Sequence, residues 1–386
     1  MSPRQNLPPT SAIFDDAVAG AGIVGLAHAF HLVKQGRRVI VFERSSHASG
    51  ASVRNFGMLW PIGQPAGPNH ELALRSLQIW LDVLRSCGLW HEQTGSLHLA
   101  YREDEAQVLA EFTASAGADG YECQMLTPSQ VVACSSAVKS AGLMAGMWSP
   151  TETCVDPRQI IAQLPGWLQR NYGVHFEFGC AVSDFEPGRI RAGGQLWAAQ
   201  RLFVCSGDDF QTLYPRVFEG IGFVLCKLQM MRSQNYGPPF RLGPMLAGGL
   251  TLRHYKAFQN CPSLASLKRR VATELPEFDR YGIHVMVSQN GRGELVIGDS
   301  HEYDADIDPF DKLRIDALIL EYLDTFFAAP DLQIAARWHG TYAKHPTDPY
   351  FVARPEPGVT IVTGLGGAGM TLSFGLAEQV VRGTER

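Results

Sequence analysis

The chain has 386 residues, with 33 Lys and Arg against 38 Asp and Glu, a formal net charge of −5, and 45% hydrophobic residues. That length exceeds one ordinary core and predicts two domains, and the acidic balance argues against a nucleic-acid surface. No apolar run approaches the roughly 20 residues of a membrane helix, and the start lacks an uninterrupted signal-peptide core, so a cytoplasmic location is expected.

After a Pro-containing tail before Ile13, a short apolar run at 17–19 leads into the glycine turn Gly20-Ala21-Gly22-Ile23-Val24-Gly25. Helical apolar spacing follows through Leu26, Ala29, Phe30 and Val33. In such a strand-turn-helix the first glycine permits the tight turn, the second lets backbone approach a diphosphate, and the third lets helix and strand pack closely. The next strand, 37–43, ends in Glu43, an acid that accepts hydrogen bonds from ribose hydroxyls and repels the extra phosphate of NADP. The small and polar stretch around Ala51, Ser52, Arg54, Asn55 and Gly57 lets backbone lie close to a ligand, and an amphipathic helix is expected over 69–87.

From about 94 to 146 a strand-like piece at 96–101 and a helix-like piece at 103–116 read as an inserted module. Asp156-Pro157 reads as an N-cap with proline at the first helical position, opening a helix at 159–170. Strands at 174–182 and 201–206 suit a return to the nucleotide domain, with Val182, Ser206 and Gly207 near the cofactor. Runs at 222–232, 284–288 and 294–298, with a helix at 263–275, predict a second, mostly antiparallel domain. A helix at 311–327, a strand at 359–364 and a helix at 372–382 complete the chain. A second glycine turn, from Gly364 through Gly366, Gly367 and Gly369 to Met370 and Thr371, suggests one long cofactor gripped from both ends of the sequence.

The eight cysteines have no close pair and read as reduced thiols rather than disulfides. The 12 histidines show no metal-ligand spacing, so no metal is expected.

This order of motifs resembles the FAD-dependent amine and amino-acid oxidases, the family of glycine oxidase, monomeric sarcosine oxidase and D-amino-acid dehydrogenases. The resemblance rests on residues 19–25 with Glu43-Arg44, on Asp156-Pro157 and on the turn 364–371, and it spans nearly the whole chain. It implies an α/β protein: a glutathione-reductase-like Rossmann FAD domain plus a mostly antiparallel β substrate domain with helices. The expected division is 12–90, 147–215 and 330–386 for FAD, and 91–146 and 216–329 for substrate. The last glycine turn would face the flavin, where backbone N–H groups and a helix N-terminus stabilise negative charge.

Residues 50–57, 297–303 and 366–375 look most like a branch associated with phosphonate breakdown, thought to oxidise aminophosphonates related to 2-aminoethylphosphonate. Residues 340–348 resemble the sarcosine-oxidase segment carrying a cysteine bonded to flavin. That position is Gly340 here, which implies non-covalent FAD. Glycine oxidase would place its carboxylate-binding Arg at Tyr342, and sarcosine oxidase a Lys at Thr371, so the usual carboxylate clamps are absent.

The implied reaction passes hydride from the carbon bearing the amine to flavin, with oxygen or another acceptor taking the electrons and the imine hydrolysing in water. Candidates for holding an anionic small amine are Arg253, Tyr255, His301, Tyr342, Lys344 and Thr371. Plainer readings are a solvated basic face for Arg253, His254 and Lys256, a structural bond to Asp299 for His301, and a surface pair with Asp348 for Lys344. The competing functions are a D- or N-methyl-amino-acid oxidase or dehydrogenase, and a non-catalytic or RNA-modifying flavoprotein.

Overall fold

A computed structural model describes residues 13–329 and 331–385. The Pro-containing tail, and positions 12, 330 and 386 of the expected domain ranges, lie outside the described residues. Among the described residues, the first element, Ile13–Ala19, lies at the centre of an eight-stranded sheet, parallel to Val39–Glu43 on one side and Gln195–Val204 on the other. Ala17, Val18, Ile40 and Val41 are fully buried, so both faces of these strands are covered, as continuous apolar runs in parallel sheets require.

One face carries helices Ile23–Lys34, Pro68–Cys87, Pro157–Tyr172 and Gly369–Arg382, packed through Leu26, Trp80, Leu164 and Phe374. The other is closed by the antiparallel strands Val182–Glu186 and Arg189–Ala192, whose Phe185 and Ile190 meet Ala17 and Leu202.

The strand expected over 174–182 is two strands. His175–Phe178 pairs in parallel with the strand ending at Glu43, and after Gly179, at φ +67, the chain turns into the antiparallel Val182–Glu186. The helix at Asp156 forms as expected, with the Asp156 carboxylate accepting from Arg158 N at 3.0 Å. The closing helix begins at Gly369 rather than at 372, directly after a turn of 3₁₀ helix, Gly366–Ala368, so its first free N–H groups come from the glycine turn itself.

The second sheet has nine strands and is antiparallel apart from the pairing of Met245–Ala247 with Ser96–Ala100. Its longest pairing joins Val224–Asn235 to Ile334–Lys344, an 11-residue strand that the sequence pattern did not resolve. That strand lies inside the range 330–386 expected for the nucleotide domain, yet it is hydrogen-bonded into the second sheet. Likewise Ala145–Ser149, which straddles the expected boundary at 147, pairs with Ser96–Ala100. Strand Ile334–Lys344 therefore runs from the second sheet directly to the nucleotide-binding side, and its last residues border the site.

Candidate active site

A single cleft of about 890 Å³ runs between the two sheets and touches both glycine turns. At its first turn, Gly20 has φ +107, and a Cβ there would lie 2.4 Å from the Cys205 carbonyl oxygen. A Cβ on Gly25 would lie 1.9 Å from the Gly20 carbonyl oxygen. Only glycine allows the helix to start this close to the strand. At Gly22 the nearest atom to a Cβ is Ser52 Oγ at 3.1 Å, so this backbone is open to the cleft. Ser52 Oγ in turn accepts from Ile23 N at 2.9 Å.

Glu43 is buried, and its carboxylate accepts from Ala21 N and Ser45 N, both at 3.0 Å. Two such bonds fix the carboxylate and leave lone pairs for ribose hydroxyls. Arg44 pairs with Asp209 at 2.8 Å beside Val182, Ser206 and Gly207, which complete this end of the cleft. Thr363 Oγ1 donates to Gly207 O at 2.5 Å and ties this wall to the second glycine turn.

Arg54 does not reach into the cleft as a free cation: its Nε donates to Ser49 O at 2.8 Å and Nη1 to His339 O at 3.2 Å. Asn55 braces the same loop through Ala51 O and Gly57 N. Trp338 Nε1 donates to Arg54 O at 3.3 Å. A Cβ at Gly340 would lie 3.2 Å from Arg54 O. The position of the cysteine linkage seen in the resembling family is thus closed off by the loop's own backbone.

At the second turn, Gly364 and Gly366 have φ of +72° and +56°. Trp80 Nε1 donates to Met370 O at 2.8 Å, and Thr371 Oγ1 accepts from Trp60 N at 2.9 Å, which pins the start of the closing helix. The free N–H groups of that helix and its positive end face the cleft.

The substrate candidates converge at this end through strand alternation: Gly340, Tyr342 and Lys344 share one face of Ile334–Lys344. A Cβ on Gly367 would be 3.6 Å from the Tyr342 hydroxyl, and one on Gly366 would be 3.8 Å from Lys344 Cγ. Burial pushes the Tyr342 and Tyr255 hydroxyls well up, so both are neutral donors. Burial pushes the Lys344 ammonium down. Among the described residues Lys344 has no carboxylate partner, and the pair with Asp348 considered from sequence does not form. Its Nζ lies over the Tyr303 ring at 4.6 Å.

Arg253 and His254 are not a solvated face. The Arg253 side chain is 11% exposed, and it spends one nitrogen on Asp279 at 2.6 Å and another on Ile283 O at 3.1 Å. Thr371 is buried and bonded to the Trp60 backbone rather than standing free. His301 lies near Asp299, Nδ1 to Oδ1 3.8 Å, and its Nδ1 is 3.4 Å from Gly282 O.

The grouping that spacing did not reveal is around His301. His254 packs against His284 and His301 with ring centroids 4.2 Å apart in each pair, tilted by 36° and 39°, and His284 lies 4.9 Å from His301 at 18°. Their ring nitrogens fall within 4.8 Å of one another, and of the three pairs only His284–His301 is near parallel. Asp299 Oδ1 is 3.2 Å from His284 Nε2, too misaligned for a hydrogen bond. Burial holds the His301 imidazole at about 4 and those of His254 and His284 well below their usual range, and pushes the Asp299 carboxyl well up.

A crevice with glycine turns at both ends, an acid for ribose and a helix N-terminus at each turn defines an enzyme of the dinucleotide-binding oxidoreductase class. The chain belongs to the FAD dependent oxidoreductase family, whose profile matches residues 15–382. Its cofactor is FAD, held non-covalently.

Among curated proteins, glycine oxidase of Geobacillus kaustophilus is 28% identical over 218 residues, 53% of this chain and 57% of that protein. Rat mitochondrial dimethylglycine dehydrogenase is 21% identical over 189 residues, 47% of this chain and 22% of that protein. The chain thus matches little more than half the length of the first of these relatives and about a fifth of the second.

Among solved structures, Geobacillus kaustophilus glycine oxidase superposes with a TM-score of 0.77 at 21% identity, covering 97% of this chain and 96% of that one. L-proline dehydrogenase of P. horikoshii gives 0.76 at 19%, covering 98% and 96%. These likenesses show the shared fold.

Proposed function

We propose that this protein oxidatively deaminates a small amine carrying an anionic group, with an aminophosphonate related to 2-aminoethylphosphonate as the substrate class. Bound in the cleft, FAD supplies the two-electron acceptor for hydride from the carbon bearing the amine, and water hydrolyses the imine. The chain's own residues orient that carbon, exclude water and hold the anionic end.

The observation that carries this reading is the state of the cations at the substrate end, where Lys256 is exposed and donates to Thr347 O at 3.3 Å. Arg253 is committed to Asp279 and Ile283 O, whereas Lys344 is half-buried with no carboxylate beside it. A point charge flanked by the Tyr342 hydroxyl and by imidazoles suits a tetrahedral group with three oxygens better than a planar carboxylate, which favours a guanidinium fork. Tyr342 and Tyr255, neutral donors in the cleft wall, would close around the substrate. The residues of the first glycine turn, Glu43 and the loop at Ser52 would hold the adenosine and diphosphate half of FAD, and residues 364–371 its ring half.

A second reading, oxidation of a D- or N-methyl amino acid, is favoured by the names of the two curated relatives and by Arg253 lining the cleft. Anaerobic bleaching of the flavin separates the two. We expect 2-aminoethylphosphonate and its N-methyl derivative to bleach it faster than glycine, sarcosine or D-alanine. Bleaching by the amino acids with none by the phosphonates would refute the phosphonate reading and support the second.

A further inference from the structure

We propose that His254, His284 and His301 form a proton-accepting anion subsite at the end of the cleft, which takes up one proton when a tetrahedral dianion binds beside Lys344. This rests on the reading above that the substrate's anionic end lies there.

The geometry begins at His301. The Gly282 carbonyl can only accept, so the hydrogen on the His301 ring belongs on Nδ1, 3.4 Å away. Nε2 then carries a lone pair, and a lone pair repels an anion. Protonation of Nε2 by a solvent proton converts this nitrogen into a charged N–H donor, packed against rings whose centroids lie 4.2 and 4.9 Å away. Asp299, whose Oδ1 lies 3.2 Å from His284 and 3.8 Å from His301, is the carboxyl that borders the cluster. Both ring nitrogens of His284 are buried without a hydrogen-bond partner, as is Asp299 Oδ1, so the cluster has unused capacity for a proton.

Of the groups facing the cluster, the Asp299 carboxyl, pushed well up by burial, competes for the proton, and Asp299→Asn should leave the slope in place if the imidazoles take it up. Lys344 and Lys256 add positive charge, which opposes protonation while the site is empty. Arg253 is offset by Asp279. Tyr255, Tyr303 and Tyr342 and the Cys226 thiol are all pushed up by burial and stay neutral. Without a bound anion the imidazoles are therefore neutral. Two negative charges arriving among them reverse the balance, because an opposite charge within a few ångströms favours the charged form.

Sulfate is the probe, because it is a tetrahedral dianion throughout the range used and contributes no titration of its own. Its affinity for the FAD-loaded enzyme is followed by perturbation of the flavin absorbance between about pH 6 and 8, with propionate as a planar monoanion control. Uptake of one proton makes the sulfate Kd rise about tenfold per pH unit. We expect that slope in the unmodified enzyme and its loss in His301→Asn or His254→Asn, checked for normal flavin content. Lys344→Met should weaken sulfate at every pH while keeping the slope.

A pH-independent sulfate Kd in the unmodified enzyme would overturn the proposal while leaving the phosphonate reading intact. Propionate binding with no sulfate binding would overturn both. Zinc at one per chain in the isolated enzyme would also overturn the proposal, since imidazole lone pairs bound to a cation cannot take up protons.

Discussion

Two alanine substitutions in one turn should fail in different ways. A Cβ on Gly25 would sit 1.9 Å from the Gly20 carbonyl oxygen, 3.1 Å from its carbon and 3.2 Å from Val18 Cγ1. Two of those atoms are backbone in the turn between strand and helix, so relief requires moving the helix off the sheet. Overpacking of this kind costs about 1–3 kcal/mol or more, roughly 1–4 °C in Tm for a chain of this size. At Gly22 the same Cβ would meet only Ser52 Oγ, at 3.1 Å, which a rotation about one side-chain bond relieves.

The cost at Gly22 falls instead on whatever approaches the backbone from the cleft. Holding a diphosphate oxygen one methyl farther away forfeits a charge-assisted hydrogen bond, about 1.5–3 kcal/mol, or roughly 10- to 150-fold in FAD affinity. Differential scanning fluorimetry of the flavin-free protein reads the first effect, and quenching of FAD fluorescence on titration reads the second. Gly25→Ala should lower the flavin-free Tm, and Gly22→Ala should leave it within about 2 °C while weakening FAD. If Gly22→Ala bound FAD as tightly as the unmodified protein, the diphosphate would not lie at this turn, and the orientation of the cofactor argued here would be wrong.

The two cations near the substrate should also separate. Arg253→Met removes a partner of Asp279 and of Ile283 O and should cost about 1–3 kcal/mol of stability by denaturant titration, with substrate KM changed less than threefold. Lys344→Met should raise KM more than tenfold with little change in Tm, and the opposite ranking would return the anion to Arg253. Acid should destabilise the fold through its buried neutral histidines. Burial lowers His28 to about 4 and His98 to about 3. Each therefore contributes stability that is present above the unfolded value near 6.5 and is lost as pH falls through the folded values. About 3 kcal/mol is at stake for His28, and a Tm that stayed flat from pH 6.5 to 4 would contradict it.

The parts of this molecule that could be read from sequence are those whose cause is local. Gly20, Gly22 and Gly25 are specified by contacts inside one turn, Glu43 by its place at the end of the next strand, and the Asp156 cap by its own next two residues. The strand Ile334–Lys344 was missed because its polar and apolar residues are mixed by a double duty: one face packs in the sheet, and the other ends at the cleft with Tyr342 and Lys344. The histidine cluster comes from three separate places, the turn after Gly249–Arg253, the approach to Met286–Gln289 and the segment after Glu294–Gly298. No spacing rule joins them, because only the antiparallel register of the second sheet brings them together. The pairing of Arg253 with Asp279 was hidden for the same reason, since the two lie 26 residues apart.

The distribution of charge along the cleft bears on what it selects. At the diphosphate end the nearby guanidiniums are already engaged, Arg44 by Asp209 and Arg54 by the carbonyls of Ser49 and His339. Anion binding there falls to backbone N–H groups and a helix end, which are fixed in place and need no side-chain ordering. At the substrate end the arrangement is the reverse: among the described residues Lys344 and Lys256 are cations without a carboxylate on flexible stems, and the donors around Lys344 are side chains. A planar carboxylate gains most from a rigid two-pronged donor, and Arg253, the guanidinium at this end among the described residues, has spent its prongs on Asp279 and Ile283 O. A tetrahedral group presents oxygens in three directions, and Lys344 and the Tyr342 hydroxyl from one strand would meet a protonated His301 from the segment after Glu294–Gly298. The proposed selectivity for phosphonate over carboxylate thus follows from the commitment of Arg253, and freeing Arg253 by Asp279→Asn should move the preference toward amino acids, measurable as a rise in kcat/KM for D-alanine relative to 2-aminoethylphosphonate.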